Sequence, residues 1–163
     1  MVRVGKLRRV GWACAAPQTE VVDVEYATWE AAVPQAITAD KLWRVQAYRL
    51  ALFAADASWH DVTILIRDPR TRSLADQLYR SAGSVSANIA EGYSRGTGPD
   101  RCRFLEYALG SARECRDWYY KARHILGSAA VAPRMDVLTQ TSRLLLVMLQ
   151  SQRGRVVRRR GAI

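Results

Sequence analysis

From Asp40 onward the chain repeats its apolar residues at steps of three and four. Leu42, Val45, Tyr48, Leu52, Ala55, Trp59, Val62 and Ile66 form a first stripe, the spacing of a helix that buries one face. Asp40 stands where an N-cap belongs, so a long helix is expected from there. It should end in RDPRTRS, Arg67–Ser73, where Pro69 disfavours a helical residue before it and the chain turns. A second stripe, Leu74, Leu78, Ala82, Val85, Ile89 and Tyr93, runs into GTG at Gly96–Gly98. Pro99 and Asp100 suit the first turn of a third helix, since a missing N–H costs little there and an acid complements the dipole. Its stripe is Leu105, Ala108, Ala112, Cys115, Tyr119, Ala122 and Leu126, with Gly127 and Ser128 as the stop. A fourth helix is predicted from Pro133 through Val137, Leu138, Leu145, Met148 and Leu149, and a short one at Ala27–Ala32. No alternating strand pattern occurs. The expected fold is all-α, an antiparallel up-and-down four-helix bundle with an N-terminal extension.

Charge divides the chain further. Of the net charge of +10, nearly all sits at the two ends: Arg3, Lys6, Arg8 and Arg9 in one, Arg153, Arg155, Arg158, Arg159 and Arg160 in the other, with no acid in either. Residues 10–152 carry 16 basic and 15 acidic side chains and are close to neutral. Glu20, Asp23, Glu25, Glu30 and Asp40 make residues 20–40 acidic with no base among them, so this arm either lies across a basic face or is a solvated surface. The expected organisation is a basic disordered tail (1–20), an acidic arm with a short helix (21–40), the bundle (41–152) and an Arg-rich C-terminal tail (153–163).

The longest apolar run, Leu144–Leu149, is far short of a bilayer span, and no targeting segment is evident in residues 1–16. Cys14, Cys102 and Cys115 are too few and too scattered for a disulfide framework and point to a reducing, cytoplasmic setting without metal or redox work.

Candidate chemistry gathers at NIAEGYSR, Asn88–Arg95. If the second and third helices fold back on each other about Ser94–Pro99, Glu91 faces Arg103, Arg80 faces Glu114, and Gly83 and Ser84 face Gly110 and Ser111. Small residues allow close approach and the charges set the register, so the segment reads first as a corner device, with partner binding layered on it. Asn88 would bond across the corner or cap its backbone. A bulky residue at Gly110 is then expected to overpack the crossing.

Catalysis finds no support. A di-iron bundle requires Glu-x-x-His motifs, whereas His60 and His124 do not follow a Glu at that spacing. No Arg precedes either His at the spacing of helical-bundle ribonucleases. No phosphate loop, no GxSxG and no Cys with an adjacent base is present. His124 suits the end of a helix dipole. The protein is expected to be non-enzymatic and to need no cofactor or metal.

The run QLYRSAGSVSANIAEGYSR, Gln77–Arg95, followed by RFLEYALGSARE, Arg103–Glu114, resembles the four-helix bundle family named for the 23S ribosomal RNA intervening-sequence protein. Arg80, Asn88, Ala90, Glu91, Gly92, Arg103, Phe104, Gly110, Ser111 and Glu114 carry the likeness. It implies the bundle over about residues 41–150. A related branch, the accessory variability proteins of diversity-generating retroelements, forms homopentamers that bind nucleic acid and a reverse transcriptase. The resemblance therefore implies a pentameric homo-oligomer, RNA or DNA binding and a protein partner such as a reverse transcriptase; the charged ends make that binding nonspecific, and the short apolar runs leave no membrane partner expected. Residues 1–40 and the Arg-rich end depart from the family pattern. Arg95, Arg101 and the basic residues of the two ends are the candidate phosphate contacts, with Arg67, Arg70 and Arg72 in a loop expected at the opposite end of the bundle. Trp118, Tyr119 and Tyr120 offer stacking area or belong to the core. A scaffold that binds protein only is the alternative. Trp43, Phe53, Trp59, Phe104, Trp118 and Tyr120 exceed what the four inward stripes hold, which favours self-association.

Overall fold

The structure, a computed structural model, describes residues 25–160, with side chains as far as residue 154. The described residues are all-helical, with no strand. Helices α1 (Tyr26–Ala32) and α2 (Gln35–Thr38) form the arm. The long helices are α3 (Gln46–Leu65), α4 (Arg72–Ser94), α5 (Gly98–Leu126) and α6 (Ser128–Arg160). Each packs on the next, and α6 packs back on α3. The expected tail of residues 1–20, and Cys14 with it, lies outside the described residues.

The local signals explain most boundaries. Asp40 does accept a hydrogen bond from the Leu42 N–H, at 2.8 Å, but it caps a 3-10 turn, Lys41–Arg44, and α3 starts only after the extended Val45. Asp68 caps the 3-10 turn Pro69–Thr71 in the same way, accepting from the Arg70 N–H at 2.9 Å. Thr97 caps α5 with Pro99 in its first turn, and Gly127, at φ 84°, ends that helix where a side chain would be strained. The fourth helix differs from expectation. It begins at Ser128 directly after Gly127, and Pro133 falls inside it. Proline has no N–H to give, so this second turn gives up a backbone bond that packing of Val131 and Leu138 offsets. At its other end the helical backbone runs on through the Arg-rich stretch to Arg160.

The core has two parts. One, toward the α4–α5 junction, holds Leu42, Ala51, Val85, Ile89, Leu105, Ala112, Leu145 and Leu149; the other holds Leu65, Leu78, Ala82, Cys115, Tyr119, Leu126 and Leu138. The expected stripe of α5 is buried throughout. That of α4 is inward except at its ends, where Leu74 is half-buried and Tyr93 is exposed. The stripe expected for α3 is displaced by about one residue, a turn of ~100°. Ala47, Leu50, Ala51, Ala54, Ala57, Ser58, Asp61 and Leu65 face inward, while Trp59 and Ile66 are exposed. Small residues let α3 approach α4 and α6 closely, which the larger residues one position along would prevent.

Asp61 belongs to the same inward face. It is buried, and its Oδ2 accepts from the Tyr119 hydroxyl at 2.8 Å and from Arg134 Nε at 3.1 Å. One carboxylate thus joins α3, α5 and α6 inside the core. Arg134 is buried too, its charge neutralised by the carboxylate beside it.

The arm lies on the outer face of α3 chiefly through aromatic packing. Trp29 is buried against Phe53 and Trp43, and its Nε1 donates to Asp56 Oδ2 at 2.9 Å. Glu30 pairs with Arg49 at 2.9 Å. Two of the surplus aromatics, Trp43 and Phe53, are therefore covered by this chain's own arm.

Candidate nucleic-acid interface at the α4–α5 corner

The motif residues sit on the last turns of α4 and face the first turns of α5. Asn88 neither crosses the corner nor caps it. Its Nδ2 donates one turn back to the Ser84 carbonyl (2.8 Å) and to Ser84 Oγ (2.9 Å), and Ser84 Oγ lies 3.0 Å from Ser111 Oγ on α5. Ser84 and Ser111 meet directly, as expected, and Asn88 holds the Ser84 side of that contact. Their glycine neighbours do not: a Cβ on Gly83 or Gly110 would meet nothing within 4 Å, so the expected overpacking at Gly110 is corrected. The close approach is made by Gly92 instead. A Cβ there would stand 3.0 Å from Phe104 Cβ and 3.5 Å from the Arg101 carbonyl.

The expected charge pairs across the corner are not formed. Glu91 pairs with Arg95 on its own helix, Arg103 with Asp100 at 4.0 Å and Arg80 with Asp76 at 3.8 Å, while Glu114 accepts from Trp118 Nε1 at 3.2 Å. Exposed charges find the nearest partner one helical turn away, where the side chains need little ordering. Register comes from shape and the serine contact.

What these arginines build is a basic and aromatic surface. The guanidinium groups of Arg95 and Arg103 lie 4.8 and 5.4 Å from the centre of the Phe104 ring, and Tyr107 meets the same ring edge-on at 5.9 Å. Tyr107 and Tyr93 are exposed. Arg101 Nε donates to the Arg95 carbonyl at 2.6 Å and steadies the turn. Arg153, from α6, reaches Glu106 at 2.6 Å, so the Arg-rich stretch of α6 begins beside the first turns of α5. Arg95, Arg101, Arg103 and Arg153 therefore share one end of the molecule, and the backbone carrying Arg155, Arg158, Arg159 and Arg160 continues from there. Arg3, Lys6, Arg8 and Arg9 lie outside the described residues.

The remaining candidates are spread elsewhere. Arg70 is occupied by Asp68, and hydrogen bonds from the Arg70 side chain and backbone hold the Asp68 carboxyl down at about 2. Tyr119 is core, Trp118 packs under Lys121 at 4.1 Å, and Tyr120 lies under Arg123 at 3.8 Å. Two features escaped the sequence reading. One is the Asp61–Tyr119–Arg134 cluster, signalled only by an acid and a base at core spacing on α3 and α6. The other is an apolar groove of about 680 Å³ on the outside of α3 and α4, lined by residues including Trp29, Ile37, Leu52, Trp59, Tyr79 and Gly83. No group of His, Cys, Asp or Glu among the described residues is arranged to hold a metal, and no described helix is long and apolar enough to cross a membrane.

No curated protein matches the chain. Among solved structures it is similar to the crystal structure, at 1.70 Å resolution, of a protein of unknown function from the S23 ribosomal protein family of Bacteroides thetaiotaomicron VPI-5482. The two are 20% identical with a TM-score of 0.60, over 63% of this chain and 97% of that one, a likeness of fold. The family model described as 23S rRNA-intervening sequence protein matches residues 44–145, which include the whole α4–α5 corner. The chain belongs to the 23S rRNA-intervening sequence protein family.

Proposed function

We propose that this protein is a non-catalytic accessory protein that binds RNA or DNA through phosphates with little sequence readout. Its frame is an antiparallel up-and-down four-helix bundle. Support for that topology comes from the contacts of Gly92 with Phe104, Ser84 with Ser111 and Leu78 with Cys115, whose numbers fall along α4 as they rise along α5. The observation that carries the binding reading is the gathering of Arg95, Arg101, Arg103 and Arg153 at one end, with Arg95 and Arg103 against half-buried Phe104 beside exposed Tyr107, where the Arg-rich stretch of α6 leads on. Their acidic partners are exposed, and such pairs are weak enough for a phosphate to displace them.

The bundle assembles as a homo-oligomer, by family resemblance a pentamer, which repeats the basic end around a ring. A polymerase of the reverse-transcriptase class is the kind of protein partner that the resemblance supplies. Fluorescence anisotropy on the full chain, with structured RNA and single-stranded DNA across a salt series, tests the reading. Log affinity should fall steeply and linearly with log salt, and replacing Arg153, Arg155 and Arg158 to Arg160 by Ala should nearly abolish binding. Absence of binding at low salt refutes it. A protein-binding scaffold would then remain, favoured by the open groove at Trp59 and Tyr79.

A further inference from the structure

The α4–α5 corner encloses a space that phosphate contacts do not use. A cavity of about 400 Å³ opens there, floored by Ile89, Leu105 and Met148 and bordered by Tyr93, Arg101 and Gln152. Gly92 also lines it, so the motif residue that lets α4 approach Phe104 also contributes a wall without a side chain. The volume lies at the small end of the range for ligand pockets. It suits a single flat ring system rather than an extended ligand.

Each part of the lining matches what an unstacked base presents. The apolar floor receives a face from which water must be removed. Tyr93, 45% exposed, offers an aromatic ring at the mouth. Arg101 commits Nε to the Arg95 carbonyl, and its terminal nitrogens make no hydrogen bond among the described residues. Gln152, half-buried, carries both a donor and an acceptor amide group. Bases splayed out of single strands are held by this combination of aromatic or guanidinium stacking and hydrogen bonds to the base edge. The attached backbone would pass Arg95 and Arg103, which belong to the same corner.

We propose that this cavity receives one unstacked nucleobase of a single-stranded nucleic acid, so that the corner prefers single strands over duplex. The inference rests on the nucleic-acid reading above. A partner protein's apolar side chain would fill the floor but leave Arg101 and Gln152 without a match.

The test uses the full chain and single-stranded RNA and DNA 12-mers, each with one 2-aminopurine, beside the same sequences as duplexes. Anisotropy should report tighter binding of single strands, with a change in 2-aminopurine emission on binding. Tyr93→Leu and Gln152→Ala should each weaken single-strand affinity, the former by about tenfold, without altering duplex affinity or the salt slope. Tyr93→Phe should restore it, since only the ring face is needed. Tyr93 is exposed, so its variants should keep the parental helicity by circular dichroism. Arg95→Ala and Arg103→Ala should instead lower the salt slope. If both pocket variants bind single strands like the parent while salt-dependent binding persists, the pocket inference falls and the phosphate reading stands. If the full chain binds neither form at low salt, both fall.

Discussion

Gly92 and Gly110 both belong to the family pattern, and the structure gives them opposite weights. At Gly92 an added Cβ meets the root of the Phe104 side chain and a backbone carbonyl, neither of which can swing away. Gly92→Ala should destabilise by about 1–2 kcal/mol in urea denaturation despite its better helix propensity. Gly110 faces open space, so Gly110→Ala should raise stability by up to about 1 kcal/mol. Burial acts just as locally on Cys115, pushing its thiol up to about 12, and it raises the Tyr119 hydroxyl well above its usual range. Both groups stay neutral in the fold at a pH where they ionise in the unfolded chain. Their folded values are raised, so the stability they confer is full below about pH 9 and is lost progressively as pH rises toward the folded values. Denaturation midpoints should fall above pH 9, less steeply in Cys115→Ala. In the folded protein at pH 8, thiol reagents should modify half-buried Cys102 well before Cys115.

Among the elements, α3 turns inward a face of small and apolar residues that also carries one buried acid. Asp61 holds Tyr119 of α5 and Arg134 of α6, so removing it takes a charged acceptor from two buried donors at once. Asp61→Ala should cost about 3–5 kcal/mol. A joint replacement, Asp61→Leu with Arg134→Met, should cost much less than the two single changes together, and a double-mutant cycle by chemical denaturation measures the difference. The cluster therefore specifies which face of α3 turns inward more than it adds stability. The α4–α5 pair is registered differently, by Gly92 against Phe104 and by the serine contact, while its charged residues stay on their own helices.

At the scale of the molecule, exposed apolar groups remain after the arm has covered Trp43 and Phe53. Trp59 stacks edge-on with Tyr79 in the outer groove, and Leu146 and Val147 stand exposed on α6. An exposed aromatic pair beside an apolar groove is the kind of feature that association surfaces carry. Sedimentation of the full chain at tens of micromolar should show a closed oligomer, and Trp59→Glu should shift it toward monomer without loss of helicity. A monomeric parent at that concentration would remove the assembly from the proposed function. Salt should act on nucleic-acid binding far more than on this apolar contact, which separates the two experimentally.

Helical content, the turns at Asp68–Pro69 and Gly127, and the buried stripes of α4 and α5 were legible in the sequence because each depends on neighbours within one or two turns. Periodicity, capping and proline chemistry act over that range. The motif corner was legible as a place of close approach, though not which glycine makes it, since that depends on where Phe104 sits across the gap. The inward face of α3, the start of α6 before Pro133 and the cavity beside Tyr93 were decided only by tertiary structure. Asp61 reads as a surface acid until Tyr119 and Arg134 are brought to it from residues far along the chain. The Arg-rich end likewise becomes part of the corner only because α6 returns beside α5 and carries Arg153 to Glu106. Local spacing can choose a helix and its amphipathic stripe; which polar residues share a site is settled by packing between segments that the linear pattern does not relate.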